Sequence, residues 1–128
     1  MNLNNIINRI KSINSNIKFI GEFDEHNQKT GYWEYYYYGN LSSKGNFKNG
    51  KRDGYWEYYW DNNVIFFKGY YTNGCRDGYW EYYHSNGKIW QKGNFIKEIK
   101  DGYWVEYYYY GNVFRKMEYI NGIFNEIK

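Results

Sequence analysis

The string Gly-Tyr-Trp-Glu-Tyr-Tyr opens at Gly31, Gly54 and Gly78, and an altered copy, Gly-Tyr-Trp-Val-Glu-Tyr, opens at Gly102. A unit repeating every 20 to 50 residues marks an array in which no copy buries its apolar face alone and neighbours complete the core. The register is stricter than the string. Phe23, Phe47, Tyr71, Phe95 and Tyr119 follow at steps of 24 residues, as do Gly21, Gly45, Gly69 and Gly93, and Lys44, Lys68, Lys92 and Lys116. Such arrays present long surfaces and seldom enclose a catalytic pocket.

Each unit has two halves joined by turns. Asn49-Gly50, Asn73-Gly74, Asn86-Gly87 and Asn121-Gly122 separate aromatic runs, and Asn-Gly is the strongest short hairpin signal because both residues tolerate positive φ. Taking Asn86-Gly87 as a two-residue loop and counting outward sets Glu81 opposite Lys92 and Trp80 opposite Gly93. The same count around Asn62-Asn63 sets Glu57 opposite Lys68 and Trp56 opposite Gly69. A three-residue loop at Tyr38-Gly39-Asn40 sets Glu34 opposite Lys44 and Trp33 opposite Gly45. In the fourth unit the acid has moved one place, so Val105 faces Lys116, Glu106 faces Arg115 and Trp104 meets Met117. Opposite charges across a strand pair contribute roughly 0.2–1 kcal/mol, and an indole over a strand glycine fills the space that glycine leaves.

The expected fold is all-β: an elongated antiparallel meander of stacked β-hairpins over residues 17–128, with repeats at 31–53, 54–77, 78–101 and 102–124. Its first strand lies near Ile17 to Phe23 and its last near Ile123 to Ile127. Residues 1–16 form a separate element in this reading. Leu3, Ile6, Ile7, Ile10 and Ile13 fall at helical spacing, which predicts a short amphipathic helix capping the first strand or docking a partner. By strand alternation Trp33, Trp56, Trp80 and Trp104 share one face with Tyr35, Tyr58 and Tyr82, and these seven are the candidate binding residues. The opposite face carries Tyr32, Glu34, Tyr36 and their equivalents, and reads as wetter.

With 19 Tyr, 8 Phe and 6 Trp but no Pro, aromatics do most of the packing. Tyr and Trp pair a large apolar body with a polar tip, so they suit a half-exposed sheet or a binding surface. A net charge of +3 from 17 basic and 14 acidic residues, spread along the chain, argues against nucleic-acid binding, and the repeated Glu opposes a basic backbone-tracking groove. Cys75 is the only cysteine, which removes a disulfide framework and a thiolate metal site. His26 and His84 lie in predicted turns without a second ligand at metal spacing, so no metal or cofactor is expected. The glycines lack the context of a phosphate loop, the serines lack an elbow motif, and Glu34, Glu57 and Glu81 each already face a lysine. The chain therefore reads as non-enzymatic. No segment has a leader's apolar run or the length of a membrane span, so a cytoplasmic location is expected.

The order glycine, aromatic pair, acid, two tyrosines, Asn-Gly, then Lys-Gly-x-aromatic resembles MORN repeats, specifically the longer bacterial variant of the YwqK antitoxin family, over roughly residues 18–124. The resemblance implies stacked β-hairpins. It also implies a protein-binding module, in the bacterial variant a neutralising partner of a toxin or effector. The alternative it carries is a lipid-associated scaffold, for which Lys48, Lys51, Arg52, Arg76 and Lys100 would supply charge. Self-assembly through edge strands or the N-terminal helix is a further expectation. The family's repeats carry no catalytic residues onto this chain.

Overall fold

A computed structural model describes residues 10–14 and 16–127. Among these described residues eleven strands follow one another in chain order across a single antiparallel sheet. They are β1 (Ile10–Asn14), β2 (Ile17–Phe23), β3 (Lys29–Tyr37), β4 (Asn40–Lys48), β5 (Lys51–Tyr59) and β6 (Ile65–Thr72). The meander continues through β7 (Cys75–Tyr83), β8 (Ile89–Ile96), β9 (Ile99–Tyr107), β10 (Val113–Ile120) and β11 (Ile123–Ile127).

The N-terminal helix expected over residues 1–16 is contradicted where the structure reaches it. Ile10–Asn14 is a strand, β1, paired with β2 through Ile10↔Ile20, Lys11↔Phe19 and Ser12↔Lys18. No helix occurs among the described residues. Leu3, Ile6 and Ile7 of the expected helix lie outside them. The physical reason is that a short isolated helix is marginal in water, whereas β2 offers an edge of backbone donors and acceptors that a β-branched segment can pair with.

The strand register agrees with the pairing count at Trp33↔Gly45, Trp56↔Gly69, Trp80↔Gly93 and Trp104↔Met117. The loops reach it differently. His84 N–H donates to Lys88 O at 2.8 Å and Gly87 N–H to His84 O at 2.9 Å, which leaves a three-residue loop, Ser85 to Gly87. Tyr83 then pairs with Ile89 and Tyr82 with Gln91, so Trp90 is an extra residue, a β-bulge. The longer loop displaces the register by one and the bulge restores it. Trp60 and Val64 close the same loop with Phe66 as the bulge, and Tyr108 and Asn112 close it with Phe114 as the bulge. In the first hairpin the loop is Tyr38-Gly39, one residue shorter than expected, and Ser42 is the bulge.

Trp33, Trp56, Trp80 and Trp104 are 0% exposed, and each indole rests on the glycine of the strand before it. A Cβ at Gly21, Gly45, Gly69 or Gly93 would stand 2.0–2.2 Å from the Cδ2 of Trp33, Trp56, Trp80 or Trp104 respectively. The indole N–H is satisfied nearby. Trp56 Nε1 donates to Asn46 O at 2.9 Å, Trp80 Nε1 to Tyr70 O at 3.0 Å and Trp104 Nε1 to Asn94 O at 3.0 Å, each acceptor lying one residue after the glycine. Trp33 Nε1 follows the rule with Glu22 O at 3.2 Å and adds Thr30 O at 3.1 Å. These carbonyls sit where the register breaks, and the opening glycines of the repeats, Gly31, Gly54, Gly78 and Gly102, take positive φ there.

The aromatic of the Lys-Gly-x-aromatic segment then meets the indole edge to face. Phe47–Trp56, Tyr71–Trp80 and Phe95–Trp104 have centroids 5.1, 5.0 and 5.1 Å apart at 80–88°. Each ring also touches the tryptophan of the strand on its other side, so one row of alternating rings crosses the sheet. Met117 ends it: buried at the glycine's register position, it faces Glu126 of β11, so no following indole needs its space.

Two substitutions separate these constraints. Gly69→Ala forces a Cβ into an indole held by its own hydrogen bond, and an overpacking cost of about 2–3 kcal/mol is expected. Gly54→Ala meets no atom within 4 Å and carries only the left-handed penalty, about 1–2 kcal/mol. Urea unfolding of the two variants should show that order, and the reverse order would remove the indole–glycine contact as the dominant constraint.

Candidate functional site

Four cations sit four residues before the four tryptophans: Lys29, Arg52, Arg76 and Lys100. Each lies over the ring row. Lys29 Nζ is 5.3 Å from the Trp33 ring, Arg52 Cζ is 5.3 Å from Trp56 and 5.7 Å from Tyr71, Arg76 Cζ is 4.2 Å from Phe95, and Lys100 Nζ is 4.4 Å from Trp104. The hairpin register explains the placement, since Phe47↔Arg52, Tyr71↔Arg76 and Phe95↔Lys100 are direct cross-strand partners. Among the described residues no second layer covers this face, and the aliphatic stems and flat guanidinium groups supply part of a cover.

Between β5 and β9 this face opens into a groove of about 740 Å³, lined by Arg52, Arg76 and Lys100 with Phe66, Phe67, Tyr71, Tyr82, Trp90, Gln91, Phe95, Gly74 and Glu98. The groove is open rather than enclosed, and its lining mixes rings with a few polar groups. Trp90 is the most open ring of the wall at 37% exposed, held outward by its bulge. Phe66 and Phe114 occupy the same bulge at steps of 24 residues.

The electrostatics of the groove are graded. Arg76 Nε donates to Glu98 Oε2 at 2.8 Å and its Nη1 to Tyr82 Oη at 3.0 Å. Desolvation lowers its pKa, but the bonds and charges of Glu98 and Tyr82 together raise it above the usual arginine range. Burial holds the Lys100 ammonium below the usual lysine range, with Glu106 opposing and Arg76 and Arg115 reinforcing the shift; its Nζ donates to Gln91 Oε1 at 3.3 Å. Burial likewise raises the Tyr82 phenol, against the pull of Arg76. Arg52 is exposed, and among the described residues no carboxylate stands within ion-pair distance of it.

The seven residues expected to form a binding face divide. Trp33, Trp56, Trp80 and Trp104 are the fully buried floor, and Tyr35, Tyr58 and Tyr82 are half-buried beside them. Tyr58 and Tyr71 share a hydroxyl–hydroxyl bond of 3.0 Å, and Tyr35 Oη accepts from Lys29 Nζ at 2.8 Å. Of the seven, Tyr82 lines the groove. In the sequence Arg52, Arg76 and Lys100 stand out only as basic turns, and nothing there singles out Phe66, Phe67, Trp90, Phe95 or Glu98 as site residues. With the fold in hand, two features of the sequence bear on the cations and Glu98: the constant offset of a cation before each tryptophan, and the replacement of Asn-Gly by Lys97-Glu98.

The other face is a ladder of charge and phenol. Ile20, Glu34, Lys44, Glu57, Lys68, Glu81, Lys92, Val105, Lys116 and Ile127 are successive cross-strand partners. Lys68–Glu81, at 3.7 Å, is the pair of this row within ion-pair distance among the described residues. The carboxylates bond more closely to tyrosines two residues away on their own strand. Tyr59 Oη donates to Glu57 Oε2 at 2.7 Å, Tyr83 to Glu81 Oε1 at 3.0 Å, Tyr79 to Glu81 Oε2 at 3.2 Å and Tyr32 to Glu34 Oε2 at 3.3 Å. Tyr32, Tyr55 and Tyr79 are pushed up to about 12, first by burial and then by the neighbouring carboxylate, and Tyr59 and Tyr83 are raised further by burial and their hydrogen bonds.

A pH dependence follows from these phenols. In the unfolded chain they ionise near 10, so the unfolded state loses its protons first. Their contribution is complete below pH 10 and is lost as pH rises from there through about 12. Urea midpoints measured at intervals across that range should fall, with a shallower fall for Glu57→Gln combined with Glu81→Gln; an equal slope in the double variant would exclude the Tyr–Glu contacts as its source.

Among the described residues, no group of three or more His, Cys, Asp or Glu is placed to hold a metal ion, and no helix is long and apolar enough to cross a membrane. No protein-family model matches the chain, and no curated protein is similar enough to stand as a relative, so the chemistry of the groove rests on its own residues.

Proposed function

We propose that the chain is a non-enzymatic protein-binding module that grips a segment of its partner in the groove between β5 and β9. The observation that carries this reading is the groove itself: Arg52, Arg76 and Lys100 side by side over rings, with Trp90 exposed on its wall. Trp, Tyr and Arg are the residue types that dominate binding hot spots, and a ring already fixed by its neighbours loses little freedom on contact. The floor is rigid because each indole is locked by a glycine below and a carbonyl at its edge. The site is thus preorganised. A toxin or effector is the class of partner that the resemblance to bacterial MORN-type antitoxins implies.

The lipid-scaffold alternative needs its cations directed outward to headgroups. Arg76 is instead held by Glu98 and Lys100 stands half-buried over Trp104, which leaves Lys48, Lys51 and Arg52 of that basic set, and this favours the protein-binding reading.

Affinity capture from the native host, with mass spectrometry, tests the proposal through paired variants. Trp90→Ala with Phe66→Ala is expected to reduce recovery of a specific protein at least tenfold, while Tyr55→Ala with Tyr79→Ala on the opposite face leaves recovery near the unsubstituted level. The opposite pattern moves the interface to the tyrosine ladder. Recovery of no protein by intact, abundant chain ends the reading.

A further inference from the structure

The turn between β8 and β9 departs from its counterparts. Asn49-Gly50, Asn73-Gly74 and Asn121-Gly122 take positive φ with residues that tolerate it, whereas Lys97 at 46° and Glu98 at 74° take it without that tolerance. What Glu98 makes there is a two-point contact with Arg76. Its Oε1 accepts the Arg76 backbone N–H at 2.7 Å and its Oε2 accepts Arg76 Nε at 2.8 Å.

The same turn position in the preceding hairpin is Gly74, and the backbone frame around it is shared. Glu98 N–H donates to Arg76 O at 2.8 Å, and Gly74 N–H donates to Arg52 O at 2.9 Å. Both arginines face one groove, and each lies across the strand pair from an aromatic ring. The difference is the carboxylate. Arg76 has one, while Arg52, exposed over Trp56 and Tyr71, has none within ion-pair distance among the described residues. The two lysines at the equivalent positions are poorer receptors, because an ammonium lacks the planar fork that matches a carboxylate. Lys29 is also bonded to Tyr35, and Lys100 to Gln91.

We propose that Arg52 is a receptor for an acidic side chain of the protein partner, seated as the Glu98 carboxylate is seated on Arg76. Glu98 is then an internal copy of the residue the partner supplies. The inference rests on the protein-binding reading and gives it a chemistry: the segment entering the groove carries a Glu or Asp, next to a group that packs against Phe67 or Trp90.

The repeat makes the test a swap. The probe is the capped tripeptide acetyl-Gly-Glu-Gly-amide, with acetyl-Gly-Gln-Gly-amide as control, titrated into isotope-labelled full chain while the arginine Nε–H and tryptophan indole NMR signals are followed. The glutamate peptide should shift the Arg52 and Trp56 signals saturably, and the glutamine peptide should not. Glu98→Gly should open a second site, so that Arg76 responds as Arg52 does. Gly74→Glu should place a carboxylate on Arg52 and weaken its response to the probe at least tenfold. A response of Arg52 to both peptides alike, none to either, or an unchanged response in Gly74→Glu overturns the assignment. At the level of the partner, equal capture by the unsubstituted chain and Arg52→Gln overturns the Arg52 site while leaving protein binding intact. A chain that binds the glutamate peptide at Arg52 yet captures no protein keeps the receptor and ends the protein-binding reading.

Discussion

The contact between an indole and the glycine of the preceding strand sets the terms for everything else in this sheet. A ring pressed flat onto a strand leaves no space for a Cβ, which is why Gly21, Gly45, Gly69 and Gly93 recur at a fixed step. Burying the ring also buries its N–H, and an unpaired N–H would cost most of what the burial gains. The acceptor is the carbonyl one residue beyond the glycine, presented where the register breaks. At this break the glycine that opens each repeat takes positive φ. The first letter of the repeated string is therefore a consequence of its third.

The direction of this contact also explains where the pattern stops. The glycine serves the tryptophan that follows it, so the last register position has no such duty and Met117 occupies it. A flexible thioether fills an irregular gap at the end of a stack, where a glycine would leave an unfilled space. An array with a directional contact has unlike ends, and its end residues need not obey the repeat.

Much of this was legible in the sequence because the repeat supplied internal comparisons. The register of Trp, Gly, Glu and Lys could be counted from the turns, and it holds in the structure. The loops themselves were misjudged by one residue, and the result survived because a bulge at Ser42, Phe66, Trp90 or Phe114 compensates on the same strand pair. Such a bulge shifts the alternation by one, but with only one or two residues between loop and bulge the shift has no run of residues in which to show. The first segment failed for a different reason: five apolar residues at helical spacing describe a local preference, while β2 offers Ile10–Asn14 a ladder of non-local hydrogen bonds. The groove was the least legible part. Arg52, Arg76 and Lys100 are turn-proximal in sequence, and only the pairing across Phe47, Tyr71 and Phe95 carries them over the rings.

The fourth repeat shows how a departure from the pattern can be read as chemistry. Exchanging the acid for Val105 leaves Lys92 and Lys116 facing a valine in the outer ladder, so that row loses a favourable pair on each side. The acid reappears at Glu106, on the parity of Trp104 and therefore on the groove face. There it holds Arg115 Nε at 2.8 Å and acts on Lys100, whose ammonium is disfavoured by burial. A surface pair screened by water is worth little, whereas a carboxylate beside a half-buried ammonium opposes a larger desolvation penalty. Moving one acid across the sheet thus weakens the solvated face by a small amount and helps keep a cation charged at the end of the groove, where the proposed partner segment would meet it.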